Sequence, residues 1–82
     1  MGTTKAEIAA WLDQGKRDGA KFMLVVVDTF SYDDYPVYVM ANTSVTAEVS
    51  RYSKDMQKVM EVYSYAQDLE TQLLEHRAWH VT

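Results

Sequence analysis

The chain has 82 residues, no cysteine, 48% hydrophobic residues and a formal net charge of −4. This length holds a single domain, 1–82, and the absence of cysteine excludes a disulfide framework and a thiolate zinc site. The longest apolar run, Phe22 to Val27, is far shorter than the roughly 20 residues of a membrane span, so the sequence predicts a cytoplasmic protein without membrane contact.

The first predicted element is a helix over residues 5–14. Thr4 and Glu7 have the spacing of a capping box, in which each side chain binds the backbone amide of the other residue. Apolar residues follow at helical spacing, and Gly15 offers the left-handed residue with which helices commonly end. We therefore expect the helix to end at Gly15 and a polar turn to follow.

Two strands are predicted next, over residues 20–30 and 37–41. The first is rich in β-branched and aromatic residues and carries apolar side chains on both faces. We expect it in the middle of the sheet, covered either by helices on both faces or by a second copy of the chain on one face. Pro36 has no amide hydrogen, which predicts a position at a strand start or a sheet edge.

The rest of the chain predicts a helix, a strand and a further helix. Capping side chains at 42–44 precede apolar residues at helical spacing, which predicts a helix of about two turns. Residues 58–63 suit a strand, and the capping-box spacing of Ser64 and Gln67 predicts a last helix over 65–78. The predicted fold class is α+β in the order αββαβα, with a three-stranded antiparallel sheet packed against helices.

Charge is distributed unevenly along the chain. No lysine or arginine lies between Lys21 and Arg51, and the entire formal charge of −4 falls within this gap. Its four acids are Asp28, Asp33, Asp34 and Glu48. Direct nucleic-acid binding requires a basic surface, so this pattern disfavours it and suits a basic protein partner or a cation.

The segment between the first two strands combines acids with aromatic rings, as protein-binding surfaces do. The candidate interaction residues are Asp28, Phe30, Tyr32, Asp33, Asp34 and Tyr35. An ordinary turn closed by Asp28 explains the same residues, because aspartate favours turns. A divalent-cation site is disfavoured, since the calcium-loop spacing D-x-[DN]-x-[DN]-G is absent.

The sequence gives only weak indications of metal binding, catalysis or nucleotide binding. His76 and His80 lie one helical turn apart without a third ligand or a catalytic carboxylate between them, so no metal is predicted. Catalytic motifs are absent, which predicts a protein that is not an enzyme and has no cofactor, and a metal-dependent enzyme using the acids between the strands ranks last. The alternative is a homo-oligomer that binds a nucleotide-like ligand through basic and aromatic side chains gathered from two copies. The basic residues are Lys16, Arg17, Lys21, Arg51, Lys54 and Lys58.

Several segments form a recognisable pattern across about residues 8 to 76: Trp11-Leu12 with Gly15, Asp28-Thr29-Phe30, Tyr32, Tyr35-Pro36-Val37-Tyr38-Val39 and Val59-Met60-Glu61-Val62-Tyr63. This pattern resembles a group of small uncharacterised proteins of phages and bacterial genomes. The resemblance implies a phage or mobile-element context and no biochemical activity. Small acidic proteins of that context often bind a host factor. The leading hypothesis is a non-enzymatic interaction protein that binds and modulates a host protein with a basic surface through the acidic, tyrosine-rich end of the hairpin, and the resemblance implies that a phage encodes it.

Overall fold

The computed structural model describes residues 4–54, 56–75 and 79. The helices and strands of these residues are α1 Lys5–Arg17, β1 Phe22–Asp28, β2 Asp34–Val39, α2 Val45–Arg51, β3 Gln57–Ser64 and α3 Leu69–Leu74. The strands form an antiparallel sheet in the order β2-β1-β3. The predicted α+β class, the element order and the central position of the first strand are therefore confirmed. In the described ranges, no helix has both the length and the apolar character needed to cross a bilayer.

Helices of the same chain cover β1 on both faces. α1 and α3 pack on the face that carries Met23 and Val25, and α2 packs on the face that carries Leu24 and Val26. All four side chains are buried, and burial of one such side chain stabilises the fold by about 1.5–3 kcal/mol. Two buried faces explain why this stretch of sequence is apolar without alternation, and no second copy is needed to cover it.

α1 begins as predicted but ends later. The Glu7 amide donates to Thr4 Oγ1 at 3.2 Å and the Thr4 amide donates to Glu7 Oε1 at 3.3 Å, which completes the capping box. The helix continues through Gly15, so the prediction that Gly15 ends it is wrong. Gly15 is instead a point of close approach, because a Cβ there would lie 2.7 Å from Tyr38 Cε1 and overlap the Tyr65 hydroxyl.

Both strands of the β1–β2 hairpin differ from the predicted ranges 20–30 and 37–41. β1 is shorter at both ends: it starts at Phe22 and ends at Asp28, where the turn hydrogen bonds begin. β2 runs from Asp34 to Val39, so it starts and ends earlier than predicted. Pro36 consequently lies inside β2, opposite Val25. The predicted edge position of Pro36 is nevertheless correct, since β2 is an outer strand of this sheet and the missing amide hydrogen is tolerated there.

α2 and β3 agree closely with the predictions. Ser44 caps α2, and its Oγ accepts a hydrogen bond from the Ala47 amide at 3.3 Å. β3 extends the predicted range 58–63 by one residue at each end. A register shift between Val25 and Val26 interrupts the pairing of β3 with β1.

The last helix differs most from its prediction. Ser64 ends β3 and α3 begins only at Leu69, so the capping box at 64–67 is wrong. The physical reason is the Gln72 side chain, which binds both backbone groups of Ser64 and thereby holds Ser64 in the extended conformation of a strand. The predicted continuation over 76–78 lies outside the described residues, as do His76 and His80.

Candidate protein-binding surface

The turn that joins β1 to β2, residues 28–33, is closed by hydrogen bonds centred on Asp28. The Asp28 carbonyl accepts from the Tyr32 amide at 2.6 Å, and the Asp28 amide donates to the Asp33 carbonyl at 3.0 Å. Asp28 Oδ1 accepts from the Phe30 amide at 2.8 Å, which is the contact of an Asx turn. Asp28 therefore builds the turn, and one of its carboxylate oxygens is committed to it.

Phe30 and Tyr32 lie largely in solvent on this turn. Their side chains are 77% and 64% exposed. Tyr32 has a φ of 60°, a left-handed conformation that costs a residue other than glycine about 1–3 kcal/mol. Exposed aromatic side chains are common anchors of protein-binding surfaces.

The two remaining acids of the predicted site occupy different positions. Asp33 is exposed in the turn, whereas Asp34 is partly buried as the first residue of β2, opposite Val27. Lys58 of β3 lies opposite Val27 on the other side of β1. Asp34 and Lys58 therefore share one row across the sheet, with about 10 Å between their Cα atoms, twice the spacing of neighbouring strands.

Tyr35 belongs to the sheet rather than to the turn. Its ring packs against the core cluster on the α2 face, and its hydroxyl accepts from Gln57 Nε2 at 2.6 Å. Burial raises the pKa of this hydroxyl, and the nearby Tyr52 and Asp28 add to the rise. The Tyr35–Gln57 hydrogen bond links the two outer strands across β1, which gives Tyr35 a role in the scaffold beneath the turn.

Residues 22–50 contain no lysine or arginine, but the fold brings lysines from outside this stretch near the turn. The connection from β2 to β3 crosses the sheet and returns Lys58 to the end that carries the turn, and the Lys54 carbonyl accepts from the Gln57 amide at the start of β3. Glu48 lies in α2, where it pairs with Arg51 at 3.8 Å, and so it is not part of the turn. Two lysines therefore lie at the same end of the sheet as the acids of residues 28–34.

Met56 lies beside the turn and is not among the site residues predicted from the sequence. Its carbonyl accepts from the Thr29 amide at 2.8 Å, and its side chain is 57% exposed. Its φ of 69° is again left-handed. No local sequence pattern reveals this position, because it depends on the β1–β3 register that sets Asp28 opposite Gln57.

The basic side chains that a nucleotide site would use lie at opposite ends of β1. Lys21 precedes the start of β1, and Lys58 lies beside its end. A strand of this length separates its ends by about 20 Å. Within one copy these two groups do not meet, so a nucleotide site of the predicted kind would need a second copy.

Metal and small-molecule sites find little support in the described part of the chain. No group of three or more His, Cys, Asp or Glu side chains there is placed to hold a metal ion. An open cavity of about 470 Å³ between α1 and α3 is lined by charges of both signs, from Asp13, Lys16, Asp68 and Glu70. All four residues are exposed, so the cavity offers no enclosed polar site.

Comparison with known proteins adds no relative. No protein-family model matches the chain, and no curated protein or solved structure does so either.

Proposed function

We propose that this chain is a non-enzymatic interaction protein, encoded by a phage, that binds and modulates a host protein inside the host cell. The contact is made by the turn surface, which we define as the exposed residues Phe30, Tyr32 and Asp33 with Asp28 and Asp34 beside them. Tyr35 supports this surface from the sheet. The partner carries a basic surface.

The observation that carries this proposal is the exposure of Phe30 and Tyr32 on a closed turn. Aromatic side chains contribute most to binding when they enter a pocket of the partner, because they bury a large apolar surface at little cost in conformational entropy. The three hydrogen bonds around Asp28 hold the backbone of the turn before binding. Less ordering is then required when the partner docks.

The acids of the turn surface attract a basic partner electrostatically. Asp33 is exposed next to Tyr32, and no base lies within residues 28–34. Carboxylates at the rim of an interface raise the association rate of a basic partner more than they raise the final affinity. The complex should therefore form more slowly as salt is added, since salt screens charges over about 8–10 Å.

The test is capture of partners from a bacterial lysate by immobilised protein, quantified by mass spectrometry. We expect Phe30→Ser with Tyr32→Ser to remove the captured host protein, because the anchoring rings are gone. Leu74→Ser is the matched control, since Leu74 is 74% exposed at the end of α3 and outside the turn surface. Circular dichroism establishes that each variant is folded.

A second pair of variants tests the acids. Asp33→Lys with Asp34→Lys should lose capture of the same protein, whereas Asp13→Lys with Glu70→Lys, exposed acids of α1 and α3, should retain it. Equal capture by the ring variant, the acid variant and the parent protein would show that the turn is only a turn.

A further inference from the structure

We infer that the binding surface extends onto Met56 and fits a partner segment in which a lysine or arginine stands beside a nonpolar side chain. This inference rests on the proposed function and specifies the chemistry of the partner. It adds a residue from a distant part of the chain to the turn surface.

The backbone joins Met56 to the turn surface. The hydrogen bond from the Thr29 amide to the Met56 carbonyl, at 2.8 Å, ties the residue before Phe30 to the start of β3. The antiparallel register continues from this point, with Asp28 opposite Gln57. Phe30, Tyr32 and Met56 are therefore three exposed nonpolar side chains at one end of one sheet.

The conformation of Met56 sets it apart from an ordinary surface residue. A φ of 69° favours glycine or asparagine, yet a large nonpolar side chain occupies this position and is 57% exposed. Methionine is unbranched and polarizable, and it adapts its shape to different nonpolar partners. A nonpolar side chain of a partner is the natural occupant beside it.

The charge of the turn selects the rest of the partner segment. Asp33 is exposed in the turn and attracts a cation, whereas the exposed side chain of Met56 offers a nonpolar contact. A segment of consecutive lysines or arginines would leave Met56 without a nonpolar partner. A segment in which lysine or arginine alternates with a nonpolar residue places its positive charge near Asp33 and its nonpolar side chain near Met56.

The experiment uses a short synthetic peptide in which lysine alternates with leucine in a glycine–serine background. Binding is followed by NMR titration of the whole chain, with a peptide carrying serine in place of leucine as the reference. Met56→Gln should weaken binding of the lysine–leucine peptide about tenfold, because the nonpolar contact is lost. Met56→Leu keeps a nonpolar side chain and should stay within about twofold of the parent protein. Binding of the serine peptide should be the same for the parent protein and Met56→Gln.

Two outcomes would overturn the inference. If Phe30→Ser weakens peptide binding and Met56→Gln leaves it unchanged, the surface ends at the turn, and the proposed function stands without Met56. If the lysine–leucine peptide binds no better than the serine peptide, the stated partner chemistry is wrong. The proposed function is then judged separately by whether capture of the host protein depends on Phe30 and Tyr32.

Discussion

Gln72 acts as a substitute for a neighbouring strand at the end of β3. It is 1% exposed, its Oε1 accepts from the Ser64 amide at 2.7 Å, and its Nε2 donates to the Ser64 carbonyl at 2.8 Å. Nε2 also lies 3.2 Å from the Asp68 carbonyl. Both polar ends of a buried amide are thereby satisfied, as a buried polar group requires. This contact is not visible in the sequence, since glutamine at a helix position is ordinary and its partner lies outside the helix.

Replacement of Gln72 tests this role. Gln72→Leu has a similar volume but leaves the buried amide and carbonyl of Ser64 without the partner that Gln72 provides. We expect the free energy of unfolding to fall by about 2–4 kcal/mol, measured by urea denaturation. Gln67→Leu is the control, because the exposed Gln67 side chain should tolerate the change within about 0.5 kcal/mol. Similar effects of the two substitutions would contradict the role assigned to Gln72.

At the scale of elements, two tyrosines fasten α1 to the sheet. The Tyr38 hydroxyl donates to the Trp11 carbonyl and the Tyr65 hydroxyl to the Leu12 carbonyl, each at 2.8 Å. Both rings reach the helix at Gly15, the one position in their path where a side chain is absent. The start of α1 could be predicted because a capping box is local. Its end could not, because the role of Gly15 depends on tyrosines that are distant in sequence.

Gly15→Ala should therefore destabilise the fold although alanine favours helices. The added methyl group overlaps the Tyr65 hydroxyl, and overpacking of this kind costs about 1–3 kcal/mol. In a Tyr65→Phe background the cost should be smaller, as measured by a double-mutant cycle in urea. Gly19→Ala is the matched control. φ at Gly19 is +78°, and apart from the two adjoining residues no atom would lie within 4 Å of a Cβ added there. The cost of Gly19→Ala should therefore be independent of Tyr65. A Gly15→Ala cost that Tyr65→Phe leaves unchanged would contradict the contact.

The same tyrosines predict a loss of stability in alkali. Burial raises the pKa of the Tyr38, Tyr63 and Tyr65 hydroxyls above the ordinary value of 10.0, and the hydrogen bond with Glu61 raises that of Tyr63 further. Above about pH 10 the unfolded chain loses these protons while the folded chain keeps them. The stabilisation is complete below this pH and is lost as the pH rises, by up to about 1.4 kcal/mol per pH unit for each tyrosine.

Urea denaturation between pH 8 and about pH 11 checks this prediction. The free energy of unfolding should decline above about pH 10, and Tyr65→Phe should make the decline less steep. A slope that Tyr65→Phe does not change would mean that the Tyr65 hydroxyl titrates alike in both states.

At the scale of the whole molecule, the sheet brings together charges that are far apart in sequence. The order of elements and the central strand follow from periodicity, and the acidic aromatic segment is visible in the sequence itself. The sequence does not reveal that Lys58 shares a row of the sheet with Asp34 or that Met56 lies beside Thr29, because both positions depend on how β3 pairs with β1. The acidic and nonpolar residues of the turn surface consequently share one end of the sheet with Lys58.

Hydrogen–deuterium exchange of the complex with the captured host protein, compared with the free protein, tests the turn surface most directly. Exchange should slow on binding at residues 28–33 and around Met56, whereas α1 and α3 should exchange as in the free protein. Slower exchange along α1 and α3 with no change in the turn would contradict this prediction, since the partner would then bind a different face of the molecule.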